Sequence, residues 1–68
     1  MYLLKVINID KYLTTVSEFI ECSFRTEFGA SNYIMQNYDC YYDRERDAFY
    51  DCNGMFVYKI EKVKLKEE

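Results

Sequence analysis

No histidine, proline or tryptophan occurs in this 68-residue chain. Without histidine the commonest general base and metal ligand is missing, so serine–histidine and cysteine–histidine catalysis are excluded in their ordinary forms. The three cysteines, Cys22, Cys40 and Cys52, stand far apart and form no CxxC pair. They are too few for a four-thiol zinc site and odd in number for a disulfide framework, which points to a reducing cytosol. The only glycines, Gly29 and Gly54, are too distant from each other to build a phosphate loop. No apolar run approaches the roughly 20 residues of a membrane-spanning helix, and no basic-then-apolar leader opens the chain. These absences predict a protein that is not an enzyme, holds no cofactor or metal, and does not enter a membrane.

What is present is a single small domain over residues 1–68. Half of the residues are hydrophobic, which is the globular range, and 19% are aromatic. A folded chain of 8.3 kDa is expected to expose roughly 4,600 Å² and to bury only about 60% of its unfolded surface. The core is therefore thin. Large rings help so short a chain reach stability, and self-association is a second way to cover them.

Hydrophobic periodicity places the elements. Residues 2–9, YLLKVINI, read as a strand with Tyr2, Leu4 and Val6 on one face and Leu3, Ile7 and Ile9 on the other with Lys5. Asp10 and Lys11 offer a polar turn. Residues 15–22, TVSEFIEC, read as the second strand of a hairpin, with Val16, Ile20 and Cys22 on one face and Phe19 on the other. From Ser23 to about Asn37 the period becomes helical: Ser23 can cap, Glu27 suits the first turn, and Phe24, Phe28, Ser31, Met35 and Tyr38 form a stripe widened by Ile34. Gly29 inside it signals either close approach to a sheet or a break that shortens the helix from its start. Asn53-Gly54 is the preferred centre of a type I′ hairpin and would pair Tyr50 with Val57 and Phe49 with Tyr58. The competing reading is a short helix over 44–52, capped by Asp43. The C-terminal residues, with Val63 and Leu65, can extend the last strand. The fold class predicted is α+β: a small antiparallel sheet, β-β-α-β-β in two hairpins, packed on one helix.

The stretch from Tyr38 to Cys52, YDCYYDRERDAFYDC, concentrates the chemistry. It holds four of the eight tyrosines, and its five acids against two arginines leave −3, the net charge of the whole chain. The acids do not make a catalytic pair, because nothing in the sequence raises the pKa of one of them. They also lack the glycine and terminal glutamate of a calcium loop. Small sheets with exposed rings can stack bases, but phosphate contact needs a basic patch and this is the most acidic part of the chain. Direct nucleic-acid binding is therefore not expected. The acidic surroundings of Cys40 and Cys52 disfavour thiolates, and Cys52 reads as a packed small hydrophobe. Tyrosine flanked by acids suits a protein interface. The predicted partner-binding residues are Tyr38, Asp39, Tyr41, Tyr42, Asp43, Glu45 and Asp47.

The stretch EFIECSFRTEFG (Glu18–Gly29), followed by NYDCYY (Asn37–Tyr42), is similar to short bacteriophage proteins in which an EFECSS-type strand leads into a helix. The resemblance covers the middle third of the chain and implies an accessory protein acting in the cytoplasm of a bacterial host. It further implies a host or defence protein as the partner, including restriction and CRISPR-type machinery, bound and inhibited without catalysis. Two other classes fit the composition: a self-associating assembly protein joined through the apolar outer face of the C-terminal hairpin, and an oligomer that sequesters a small ligand in tyrosine-lined pockets.

Overall fold

The computed structural model describes residues 1–64. The element order is β1 (Tyr2–Ile9), β2 (Thr15–Phe24), α1 (Glu27–Asn37), β3 (Cys40–Asp43), β4 (Ala48–Asp51) and β5 (Phe56–Lys62). The strands form one antiparallel sheet in the order β2-β1-β5-β4-β3, and α1 packs against it. This is the predicted α+β arrangement, with one strand more. Of Tyr38–Tyr42, expected to close the helix and share the core, Tyr38 does so, whereas Cys40–Asp43 is a short edge strand paired with β4. The expected extension of the last strand does not include Val63, since β5 ends at Lys62, although the Val63 amide donates to the Met1 carbonyl at 2.9 Å; Leu65 lies outside the described residues.

Alternation divides the sheet into two apolar faces. On the helix side, Leu4 and Val6 of β1, Phe49 of β4 and Tyr58 of β5 gather around Ile34 of α1, with Phe24, Tyr33, Tyr38, Phe56 and Ile60 packed against them. Leu4 and Ile34 have no exposed surface; each contributes about 1.5–3 kcal/mol by burial. On the opposite face a smaller cluster joins Ile9, Ala48 and Val57 with Ile7 and Tyr50. Leu13 of the β1–β2 turn and Arg46 of the β3–β4 turn border it. Both faces of β1 are thus occupied, as its imperfect alternation predicted.

Residues 44–52 are not helical. Asp43 ends β3, a turn follows over 44–47, and Ala48–Asp51 is β4. The expected register holds, with Phe49 opposite Tyr58 and Tyr50 opposite Val57. The turn itself differs from type I′: Gly54 has φ 71°, but Asn53 is not among the residues of positive φ. The Asp51 carbonyl accepts from the Gly54 amide at 2.9 Å, and Asp51 pairs across to Cys40 rather than to Phe56.

The helix starts later than its sequence pattern suggested. Ser23 and Phe24 complete β2 opposite Leu3 and Tyr2, because sheet pairing outweighs local helical periodicity. Thr26 is the cap, its hydroxyl accepting from the Gly29 amide at 3.0 Å. Gly29 therefore serves the cap and not a close approach to the sheet: a Cβ there would stand 3.0 Å from the Thr26 hydroxyl. The buried face also differs from the expected stripe. Ala30 and Ile34 point inward, whereas Phe28 is 79% exposed and Met35 is 55% exposed. The expected Phe28–Met35 stripe is the outer face.

Strand β2 departs from prediction in a second way. Its pairing to β1 slips between Leu4 and Lys5, where Cys22 and Ile20 are the successive partners and Glu21 is the extra residue. That bulge sets Phe19 opposite Val6 and Cys22 opposite Leu4, so Phe19 and Cys22 share a face that simple alternation divides. Among the described residues no strand pairs with the outer side of β2. Phe19 and Ile20 remain about half exposed, and total accessible surface reaches 5415 Å², well above expectation for this mass.

Candidate functional site

Strand β3 and the turn after it carry six of the seven residues expected to bind a partner or lie directly beside them. Tyr41 and Tyr42 are adjacent on β3 and so project to opposite faces of the sheet. Tyr41 lies opposite Tyr50, with ring centroids 6.1 Å apart. Tyr42 lies opposite Phe49, with centroids 5.1 Å apart, on the helix side. The two rings are 55% and 47% exposed, because β3 is an edge strand without an outer neighbour.

The acids around them have distinct local roles. Asp43 accepts from the backbone amides of Glu45 and Arg46 at 3.0 and 3.3 Å, an arrangement that closes the turn. Its second oxygen lies 4.0 Å from the Arg46 Nε. Asp47 ends the turn at φ 51°, a conformation that aspartate tolerates better than most residues. Its carboxylate accepts the Tyr42 hydroxyl. That bond, with the nearby negative charge, holds the Tyr42 phenol above its ordinary pKa. Glu45 projects from the turn, exposed. Asp39 precedes β3, and its carbonyl accepts from the Cys52 amide at 3.0 Å. Asp43, Glu45 and Asp47 do not line one strand face, since two of them belong to the turn.

Tyr38 stands apart from this group. It caps the helix, its amide donating to the Ile34 carbonyl, and its ring stacks on Tyr58 with centroids 4.3 Å apart. Its hydroxyl donates to Glu21. Burial, then the bond to Glu21, pushes its pKa well above the ordinary phenol value. Tyr38 is thus a core residue.

A cleft that the sequence did not announce lies between α1 and the β3–β4 hairpin. Glu27, Ser31, Tyr42, Asp47, Phe49 and Ile60 line about 190 Å³. Phe49 and Ile60 were legible as core residues and Glu27 as a first-turn acid. No local pattern could bring Glu27 to Asp47, because their meeting depends on how the hairpin packs beside the helix.

The cysteines are free, and all three thiols are held above their ordinary pKa, in each case chiefly by burial. Cys52 is exposed and not packed as expected; its Sγ lies 3.6 Å from an Asp39 carboxylate oxygen. Among the described residues no group of three or more cysteines and carboxylates could hold a metal ion. Among them, too, no helix is long and apolar enough to cross a membrane. No family model, curated protein or solved structure matches the chain.

Proposed function

We propose that this protein is a non-enzymatic binding module that captures a basic protein partner through the β3–β4 hairpin. The observation that carries this reading is the edge position of β3. It leaves Tyr41 and Tyr42 half exposed among Asp39, Asp43, Glu45 and Asp47, on a strand whose outer side no other described strand pairs with. Exposed tyrosines supply contact area at low entropic cost, unpaired strand groups invite an extended segment, and the acids steer positive charge. The likeness of residues 18–29 and 37–42 to phage accessory proteins supports a host or defence protein as the partner, and inhibition of that protein as the outcome.

Capture from a bacterial host lysate tests this. Asp43 holds the turn and Tyr42 is bonded to Asp47, so the informative variant leaves both intact. Tyr41→Ala combined with Glu45→Lys should reduce the amount captured by about tenfold while leaving the circular dichroism spectrum unchanged. Undiminished capture by this folded variant would remove the hairpin as the binding surface.

A second reading has its own support. Strand β2 is ten residues long, forms the other edge, and leaves Val16, Phe19 and Ile20 exposed. Self-association along β2 would cover them. The outer face of the C-terminal hairpin is a poorer place for it, since Ala48 and Val57 there are already buried. A strict monomer at micromolar concentration in sedimentation equilibrium rules this reading out.

A further inference from the structure

The cleft between α1 and the hairpin combines two chemistries. Its floor is apolar: Phe49 is almost fully buried, and Ile60 packs against the same core. The Tyr42 ring forms one wall, inclined to Phe49. Its rim is anionic, with Glu27 from the first helical residue and Asp47 from the last turn residue. Among the described residues, neither carboxylate has a basic group within salt-bridge distance; the ion pairs there involve Glu18, Glu61 and Asp43. Arg44 is close enough to oppose the rise in the Tyr42 pKa, but it pairs with neither acid.

Each acid has a local reason to be where it is. Glu27 is favoured by the helix dipole, and Asp47 by its left-handed backbone. Those reasons do not account for an apolar floor and an aromatic wall between them. A simple metal ion would find only two carboxylates and no use for the floor. An uncharged apolar ligand would leave the rim unused. The group that satisfies both parts is a cation on an aliphatic stem, with methylenes on Phe49 and Ile60, the charge between the carboxylates, and the Tyr42 ring beside it.

We propose that this cleft receives one lysine or arginine side chain of the protein partner. The proposal rests on the reading that β3 and its turn are the binding surface, and gives that surface a specific pocket. The side chain enters beside Tyr42, so an extended partner segment lying along β3 would present it from a position facing the helix side of the sheet. Tyr41, on the opposite face, takes no part in the pocket.

Three end-blocked tripeptides test the pocket directly: Gly-Lys-Gly, Gly-Arg-Gly and the norleucine analogue of the first. Titration into the ¹⁵N-labelled protein should produce saturable shifts at the Tyr42, Asp47 and Phe49 amides with a basic tripeptide. The norleucine peptide should produce none. The double variant Glu27→Gln/Asp47→Asn should weaken the response about tenfold, as expected for two partly screened charge contacts. Asparagine at position 47 keeps the tolerance for positive φ, so the turn is retained. Equal shifts with norleucine, no shift with either basic peptide, or an undiminished response in the folded variant would each overturn the pocket. The norleucine comparison uses the unaltered protein and decides even if the variant does not fold. The two readings fail separately. A variant lacking the rim charges that still captures the partner, while Tyr41→Ala/Glu45→Lys does not, sinks the pocket and keeps the surface. Peptide binding at the pocket with undiminished capture by Tyr41→Ala/Glu45→Lys does the reverse.

Discussion

The Tyr38 hydroxyl donates to Glu21, the residue left over where the β1–β2 pairing slips. The bulge is what frees Glu21 from the ladder, and Tyr38 is where the helix ends. The contact therefore ties the C-terminal end of α1 to β2. The same carboxylate also holds the Tyr33 phenol above its ordinary pKa. Removing either end should loosen the helix on the sheet. Glu21→Ala and Tyr38→Phe should each cost about 1 kcal/mol, and the double variant less than their sum. Urea titrations of the four proteins check both the cost and the coupling.

Ile34 and Phe28 are both large and apolar and lie six residues apart on one helix, yet they should behave oppositely. Ile34→Ala should cost about 2–4 kcal/mol, a large share of the roughly 3–10 kcal/mol available to a domain of this size. Phe28→Ala should change stability by no more than about 0.5 kcal/mol. Thermal melts that rank the two the other way would contradict the helix orientation.

The helix start is checked in the same manner. Thr26→Ala removes the acceptor for the Gly29 amide and should cost about 1 kcal/mol. Ser23→Ala, at an exposed β2 position, should be nearly silent.

Alkaline pH should unfold the protein. Burial holds the Tyr58 phenol up to about 12, against an ordinary value of 10.0, and Tyr38 is shifted in the same direction. A phenol with a raised folded-state pKa binds its proton more tightly when folded. Its stabilisation is therefore complete below pH 10 and is lost as pH rises toward 12. Tyrosinate absorbance and circular dichroism should change together in that window, and stability should be insensitive to these groups at neutral pH.

The elements that the sequence revealed are those governed by short-range rules. Asn53-Gly54 announced the last hairpin and its register, since few other dipeptides turn a chain so tightly. The geometry of that turn was less legible: β4 ends at Asp51, whose carbonyl accepts from the Gly54 amide, and Asn53 does not take the positive φ of type I′. Ser23 and Phe24 suit a strand or a helix equally; the choice was made by Leu3 and Tyr2, twenty or so residues away. Phe28 and Met35 keep helical spacing, but the side of the helix that meets the sheet is set by Ala30 and Ile34. The bulge at Glu21 left no trace in the pattern, and it brought Phe19 and Cys22, expected on opposite faces, to the same one. Of the candidate site, Tyr41 and the turn acids were legible by composition. The cleft beside Tyr42 was not, because its two carboxylates meet only through tertiary packing.

Strand β5 lies between β1 and β4, and it is the last strand in chain order. Without it, the other described strands fall into two hairpins, β1–β2 and β3–β4, and no described ladder joins them. Insertion of Phe56–Lys62 makes both central pairings at once and brings Tyr58 onto the helix-side core. Any lesion that keeps Phe56–Lys62 out of place would leave two hairpins with open inner edges, the state in which this protein is most exposed to chaperones and proteases.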